Sequence, residues 1–378
     1  MKIGIDARFV GPEGTGIGKY TEKLIENLQK IDSKNTYSIF LKESNWNLLK
    51  LTSKNFQKVL ADVSWYSLQE QVKMPNIYSK EKLDLLHVPH FNVPILYNGK
   101  FVVTIHDLIH LDFAQTSTTT KNIFTFHAKR LGYKKVLKNA LNKSQKIITP
   151  SNFVKNEIIK RFNMKASKII VTYEAAGEEY FDRQPSTVNR QQSLLYVGNA
   201  YPHKNLNNLL DAFKILITHH SRQRRGSPKA ASLITKLVLV CPRDVFSNKL
   251  KREIEKRNLQ KAVEVKGYMQ PNKLSNLFKR VSAYICPSLS EGFGIPGLNA
   301  MAAGLPVICS NIPTFKEIYG KAVCYFNPED PEDIAKKIQT VMKELRTRLD
   351  LVLQGGEQAK RYSWQKMAKE TLEIYESV

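Results

Sequence analysis

The chain has 378 residues, 42% of them hydrophobic and 24% charged. That length exceeds one ordinary core and suits two domains, with a composition typical of globular proteins. The formal net charge of +24 must face something anionic: nucleic acid, an anionic membrane surface or phosphorylated ligands. The basic residues are spread along the chain, which weakens the nucleic-acid reading.

No apolar run approaches the roughly 20 residues of a membrane span. Met1 leads straight into "KIGIDARFV", with no secretory leader, so a cytoplasmic location is expected. Cys241, Cys286, Cys309 and Cys324 are few and scattered. No CxxC or Cys/His ligand spacing appears, so they read as buried free thiols in a reducing compartment, and no metal site is expected.

In chain order, "KIGIDARF", "YSIFL", "LDLLHV", "FVVTIHD", "KIITPS" and "KIIVTY" read as buried strands of the first half. They are rich in Ile and Val with little alternation, as parallel strands covered on both faces should be. "GPEGTGIGKY" (11–20) follows the first of them. Gly14, Gly16 and Gly18 let a backbone approach a ligand, and the helix start beyond offers N–H groups to an anion; a plain flexible turn is the competing reading. The helix "IGKYTEKLIENLQK" places Ile17, Tyr20, Leu24, Ile25 and Leu28 on one face. "HVPHFNVP" puts His87, His90 and Asn92 at a strand end, where they suit acceptor binding or loop packing rather than a metal. "VVTIHDLIHLD" does the same for His106 and Asp107: the histidine is catalytic, sugar-binding or structural. The stretch 121–146 interleaves Phe124, Phe126, Leu131, Val136 and Leu137 with lysines and Arg130. It reads as an amphipathic helix lying either on the core or on an anionic membrane. "SNFVKNEIIKRF" opens with Ser151 as its N-cap.

The polar, aperiodic stretch 174–193 reads as a linker. Strands and helices then alternate again, from "SLLYVGN" to "AVCYFN", with "HHSRQRRGSPKA" (219–230) as a basic surface loop. Two such series imply two doubly wound α/β domains, with ligands at the carboxyl ends of the strands and a cleft between the domains. In "LLYVGNAYPHKN", Lys204 opens a helix after a strand and adds positive charge where a diphosphate would sit. "SLSEGFGIPGLNAMAAGLPV" (289–308) is the most specific motif. Gly292 and Gly294 free the backbone, Pro296 suits the first helical position, Glu291 faces hydroxyls, and Asn299 lies about one turn into the helix.

Together "SEGFGIPGLNAMAAGLPV", "DARFVGPEGTGIGKY", "TIHDL", "ITPSNFVKNEI", "YVGNAYPHKN" and "YSWQKMAKETLEIY" resemble, in order, segments of the retaining glycosyltransferases of family 4. The resemblance implies the GT-B fold: two Rossmann-like domains facing across a cleft, residues 1–180 and 190–360, with a C-terminal helix (361–378) crossing back to the first. It also implies roles. Glu291 would hydrogen-bond the donor sugar, and the amides of Gly292, Phe293, Gly294 and Ile295 would meet sugar and diphosphate. Lys204 would neutralise the departing diphosphate, Gly16 and Gly18 would face it, and His106 would lie near the sugar. Tyr268 and Met269 would hold the nucleobase. Two positions depart from the family pattern. Asn299 stands where a second glutamate usually grips the ribose, and His203 or Asn199 where an arginine usually accompanies the lysine, so leaving-group stabilisation is either weaker or supplied by Lys321 or another cation. The implied partners are a nucleotide diphosphate sugar, with GDP-mannose leading, and a saccharide or polyprenyl-linked acceptor at an anionic membrane. No metal, cofactor or nucleic acid is implied. A nucleotide-sugar epimerase and a catalytically weak homologue are the alternatives.

Overall fold

The computed structural model describes residues 1–113, 123–181, 191–224, 234–242 and 244–378. The chain divides into two compact units, Met1–Glu174 with Ser363–Val378, and Ala175–Tyr362.

In the first unit, β1 (Lys2–Asp6), β2 (Thr36–Leu41), β3 (Phe56–Leu60), β4 (Leu85–Val88), β5 (Phe101–Thr104), β6 (Lys146–Thr149) and β7 (Ile169–Val171) form one sheet. Its order is β3-β2-β1-β4-β5-β6-β7, with each neighbouring pair parallel. The helix Thr15–Ile31 buries Tyr20, Leu24, Ile25 and Leu28 as its period implies, and the C-terminal helix Trp364–Glu376 packs beside it. Ser151 caps the helix Asn152–Phe162 by accepting the Val154 N–H.

Two elements of this unit are silent in the sequence pattern. β3 is a half-exposed edge strand, so its apolar content is low. The helix Leu68–Lys80 carries Pro75 inside it and leaves Leu68 and Val72 in solvent. The basic helix occupies Ile123–Lys143, while residues 121 and 122 lie outside the described residues. Its buried stripe is Leu137, Ala140 and Leu141, with Tyr133 and Val136 packed alongside, and Leu131 is exposed. That corrects the expected face, because a stripe at helical spacing through 137 and 141 excludes position 131.

In the second unit, β8 (Gln191–Val197), β9 (Lys236–Val240), β10 (Val263–Lys266), β11 (Val281–Cys286), β12 (Val307–Ser310) and β13 (Cys324–Phe326) form a second sheet. Its order is β10-β9-β8-β11-β12-β13, again parallel throughout. β11 is buried along its whole length, as a central strand with both faces covered must be. Cys286 and Cys309 face each other in register, yet all four thiols are free.

The stretch read as a linker is only partly one. Ala175, Ala176 and Tyr180 are buried, and Ser275 donates to the Glu179 carbonyl at 3.0 Å. Residues 182–190 lie outside the described residues. The helix Leu206–Arg224 takes in the first part of the expected basic loop, whose residues 225–230 likewise lie outside them. Among the described residues no helix is long and apolar enough to cross a membrane.

Candidate active site

Strand order in the second sheet reverses between β8 and β11, and ligands of open α/β sheets bind at such a switch point, beyond the carboxyl ends of the strands. The loops leaving these two strands are stitched together there. Leu289 N–H donates to the His203 carbonyl at 2.8 Å. The turn Pro202–Lys204 then brings Lys204 Nζ to 2.6 Å from Glu291 Oε1, with the two side chains only 14% and 16% exposed. Ser288 Oγ donates to the same carboxylate oxygen at 2.7 Å. Burial alone would push the Glu291 carboxyl up. The charge and hydrogen bond of Lys204 outweigh it, with His203 and Ser288 adding, and hold it below the ordinary carboxylate value. An ammonium and a carboxylate thus meet where an anionic, hydroxyl-rich ligand would sit.

The following loop is braced from behind. Thr314 Oγ1 donates to the Glu291 carbonyl at 2.7 Å, and Tyr319 OH to the Gly294 carbonyl at 2.5 Å. Gly294 caps the helix Ile295–Ala302 at φ 106°, a conformation that favours glycine, and a Cβ there would lie 2.2 Å from the Tyr319 hydroxyl. Pro296 stands second in the helix, one place later than its type implies, where its missing N–H still has no intrahelical role. With its carbonyls tied back, the 291–295 segment directs a helix N-terminus, and its partial positive charge, into the switch point. Phe293 is buried edge-on to Tyr362 at 5.7 Å, and Gly292 is buried beside it.

Asn299 is not an idle stand-in for a carboxylate. Its Oδ1 accepts the Gly177 N–H at 2.9 Å, so a ribose diol must meet the Nδ2 side or displace that amide. His203 is buried beside the pair, and Asn199 accepts the Tyr196 hydroxyl through its carbonyl at 2.7 Å. Tyr268 is 57% exposed and Met269 half-buried, beyond the end of the edge strand β10 and two strands from β8.

In the first unit the reversal falls between β1 and β4. The glycines of the 11–18 loop separate by steric role. A Cβ on Gly18 would lie 2.4 Å from the Phe9 carbonyl oxygen, whereas one on Gly16 meets nothing within 4 Å. Gly18 lets the helix pack on its own loop, and Gly16 faces open space. His106 lies just past β5, with Nε2 3.0 Å from the Pro89 carbonyl oxygen and Nδ1 3.0 Å from Glu174 Oε1. Its ring meets Tyr20 edge-on at 4.8 Å.

The remaining strand-end residues are packed inward. His87 is fully buried, its nitrogens on Tyr375 OH (2.6 Å) and Thr104 Oγ1 (2.8 Å), and burial pushes its imidazole down to about 3. His90 bonds Tyr66 OH at 2.8 Å, and Asn92 donates to Glu70 Oε1 at 2.6 Å. These placements fit loop packing rather than acceptor binding. Asp107 turns back to accept the Ile109 N–H at 3.0 Å. Two features have no sequence signal. Arg8, fully buried, bridges Asp6 and Glu70 at 2.6 and 2.8 Å. Glu174, in the stretch read as a linker, is buried against His106. Among the described residues no group of three or more His, Cys, Asp or Glu is gathered to hold a metal ion.

Two parallel sheets, each with reversed strand order, define a GT-B architecture. The chain matches the solved structure of sucrose-phosphate synthase from Thermosynechococcus elongatus with a TM-score of 0.75 at 17% identity, covering 100% of this chain and 98% of that one. Residues 16–175 match the model of Glycosyltransferase Family 4, and residues 178–358 that of Glycosyl transferases group 1. The chain belongs to these glycosyltransferases. Among its relatives are O-antigen chain mannosyltransferase B of Escherichia coli, 28% identical over 77% of this chain and 74% of that protein, and O-antigen chain mannosyltransferase RfbU of Salmonella typhimurium, 25% identical over 95% of each.

Proposed function

We propose that this glycosyltransferase moves mannose from GDP-mannose, with retention, to a growing surface polysaccharide or a polyprenyl-linked saccharide. The observation that carries the reading is the Lys204–Glu291 pair at the switch point of the second sheet, 2.6 Å apart beneath a helix start. Mannose and a polysaccharide acceptor are supported by the names of the two O-antigen mannosyltransferase relatives.

In this reading Lys204 leaves Glu291 as the donor enters. The ammonium and the helix N-terminus take the diphosphate, and Glu291 and Ser288 take sugar hydroxyls. The anomeric C–O bond breaks toward an oxocarbenium-like centre, and its electron pair leaves with the diphosphate. The departing phosphate oxygen removes the proton of the incoming hydroxyl on the same face, so the new bond keeps the anomeric configuration. Lys204 and the oriented amides lower the barrier by stabilising the charge that develops on the leaving group. Tyr268 and Met269 receive the nucleobase, and Asn299 offers Nδ2 to a ribose hydroxyl. The exposed basic helix, with Lys134, Lys135 and Lys138 in solvent, suits loose contact with anionic lipid.

A thermal-shift screen with GDP-, UDP-, dTDP- and ADP-sugars identifies the base, with GDP-mannose giving the largest shift. Proton NMR of the product anomeric signal reads the stereochemistry. Turnover is expected to survive EDTA, because Lys204 supplies the counter-charge. Epimerisation of the nucleotide sugar with no acceptor present would refute transfer.

A further inference from the structure

We propose that Thr314 and Tyr319 are positioning residues for the transfer reaction: their hydroxyls pull two carbonyls of the 291–295 segment back, and so turn the N–H groups that follow them toward the diphosphate. The proposal rests on the reading of that segment as the diphosphate site. It follows from peptide geometry. In a planar trans peptide the C=O and the next residue's N–H point in opposite directions. Thr314 Oγ1 donates to the Glu291 carbonyl at 2.7 Å, and Tyr319 OH to the Gly294 carbonyl at 2.5 Å. Each bond holds a carbonyl on the braced side and aims the N–H of Gly292 or Ile295 away from it. Ile295 opens the helix Ile295–Ala302, so the helix itself takes nothing from its N–H. The Gly294 carbonyl also accepts the Gly297 N–H at 3.1 Å; Tyr319 adds a second, shorter bond that fixes the tilt of the peptide.

The two hydroxyls belong to one support. Thr314 and Tyr319 stand second and last in the helix Pro313–Tyr319 and are 1% and 0% exposed. That helix is anchored through its carbonyls. Tyr325 OH lies 2.7 Å from the Gly320 carbonyl oxygen and 3.0 Å from that of Phe315. Gln358 Nε2 and Tyr362 OH donate to the Ile318 carbonyl at 2.7 and 2.9 Å. The Tyr319 ring stacks on Phe315 with centroids 4.8 Å apart. Burial pushes its phenol well above the ordinary range, so the hydroxyl keeps its hydrogen and donates. The motif is shaped to this phenol: a Cβ on Gly297, as on Gly294, would collide with its oxygen. Gly297 sits inside the helix Ile295–Ala302, where glycine is otherwise unfavourable, and room for Tyr319 accounts for it.

The test compares the full-length wild type with Tyr319→Phe, Thr314→Val and Thr314→Ser. With GDP-mannose as donor, kcat should fall about tenfold in Tyr319→Phe and in Thr314→Val. That is less than the loss of about 10²–10³ for removing a donor outright, because the amides remain but are no longer held. Donor KM should stay within about twofold, since the charge on the leaving diphosphate develops in the transition state. Thr314→Ser keeps a hydroxyl and should keep the wild-type kcat within about twofold. In protein labelled with 15N-isoleucine, with Ile295→Val to assign the signal, saturating GDP, or UDP in a parallel titration, should shift the Ile295 amide. Tyr319→Phe should cut that shift by half or more. Hydroxyls that are purely structural would lower the unfolding temperature and leave kcat and the amide shift unchanged. That result overturns the proposal, as does a Thr314→Ser protein as slow as Thr314→Val. If Tyr319→Phe does not fold, the two threonine variants decide. A wild-type shift that survives Tyr319→Phe undiminished overturns the brace alone. An Ile295 amide that neither diphosphate moves in the wild type refutes the reading of the site, and this role falls with it.

Discussion

Replacing Lys204 by Met keeps the aliphatic stem and removes the ammonium. Glu291 then loses its strongest partner while remaining 16% exposed and bonded to Ser288. Breaking a fully buried pair costs about 3–5 kcal/mol and an exposed one less than about 1. This pair lies nearer the buried end, and the remaining hydroxyl offsets part of the loss, so a cost of about 2–3 kcal/mol is expected. Glu291→Gln in the same chain removes the stranded charge and should restore about half of it. Turnover behaves differently. Loss of one donor to a developing oxyanion lowers kcat by about 10²–10³, and the second substitution cannot return it. The assay pairs thermal unfolding with initial-rate release of nucleoside diphosphate for the two single variants and the double. A folded Lys204→Met protein with the wild-type kcat would refute the electrostatic role. So would a double variant that regains turnover along with stability.

Asn299→Leu removes the acceptor for the Gly177 N–H; leaving that amide unpaired should cost about 1–3 kcal/mol by chemical denaturation, and Asn299→Asp should cost less. Gly18→Ala forces a Cβ to within 2.4 Å of the Phe9 carbonyl oxygen and should destabilise the protein, whereas Gly16→Ala meets open space. Gly16→Ala should leave stability unchanged or raise it by up to about 1 kcal/mol, so any loss of donor affinity in calorimetry reports contact with ligand. The folded state holds His87 at about 3, below its unfolded value. The unfolded chain therefore binds the extra proton, and stability rises with pH between about 3 and about 6.5, by up to about 1.4 kcal/mol per unit. His87→Gln should flatten that acid limb in pH-dependent unfolding.

Most of the fold was legible because buried parallel strands are continuous apolar runs. β1, β4 and β5 lie inside the segments "KIGIDARF", "LDLLHV" and "FVVTIHD", and β2 covers "YSIFL" with Thr36 added in front. β3 escaped because an edge strand with Gln57 and Lys58 in it has little such pattern. The helix Leu68–Lys80 escaped because Pro75 and the exposed Leu68 break its period. At the site, Glu291, Lys204 and Gly294 could be singled out from local chemistry, but their pairing could not. Lys204 and Glu291 are 87 positions apart, and Asn299 and Gly177 are 122 apart. Glu174 carried no signal, since a glutamate at the head of a polar stretch looks like solvent-exposed chain until the fold buries it on His106. For the histidines at 87 and 90 acceptor binding and loop packing stayed open, because a strand-end position does not reveal whether a ring points into a core.

The most direct test is a crystal structure of the full-length protein with a bound nucleoside diphosphate sugar. The diphosphate is expected within hydrogen-bond reach of Lys204 Nζ and the 291–295 segment, with Glu291 released from the lysine and turned to the sugar hydroxyls. A diphosphate bound away from β8 and β11, with the Lys204–Glu291 pair still closed, would contradict it.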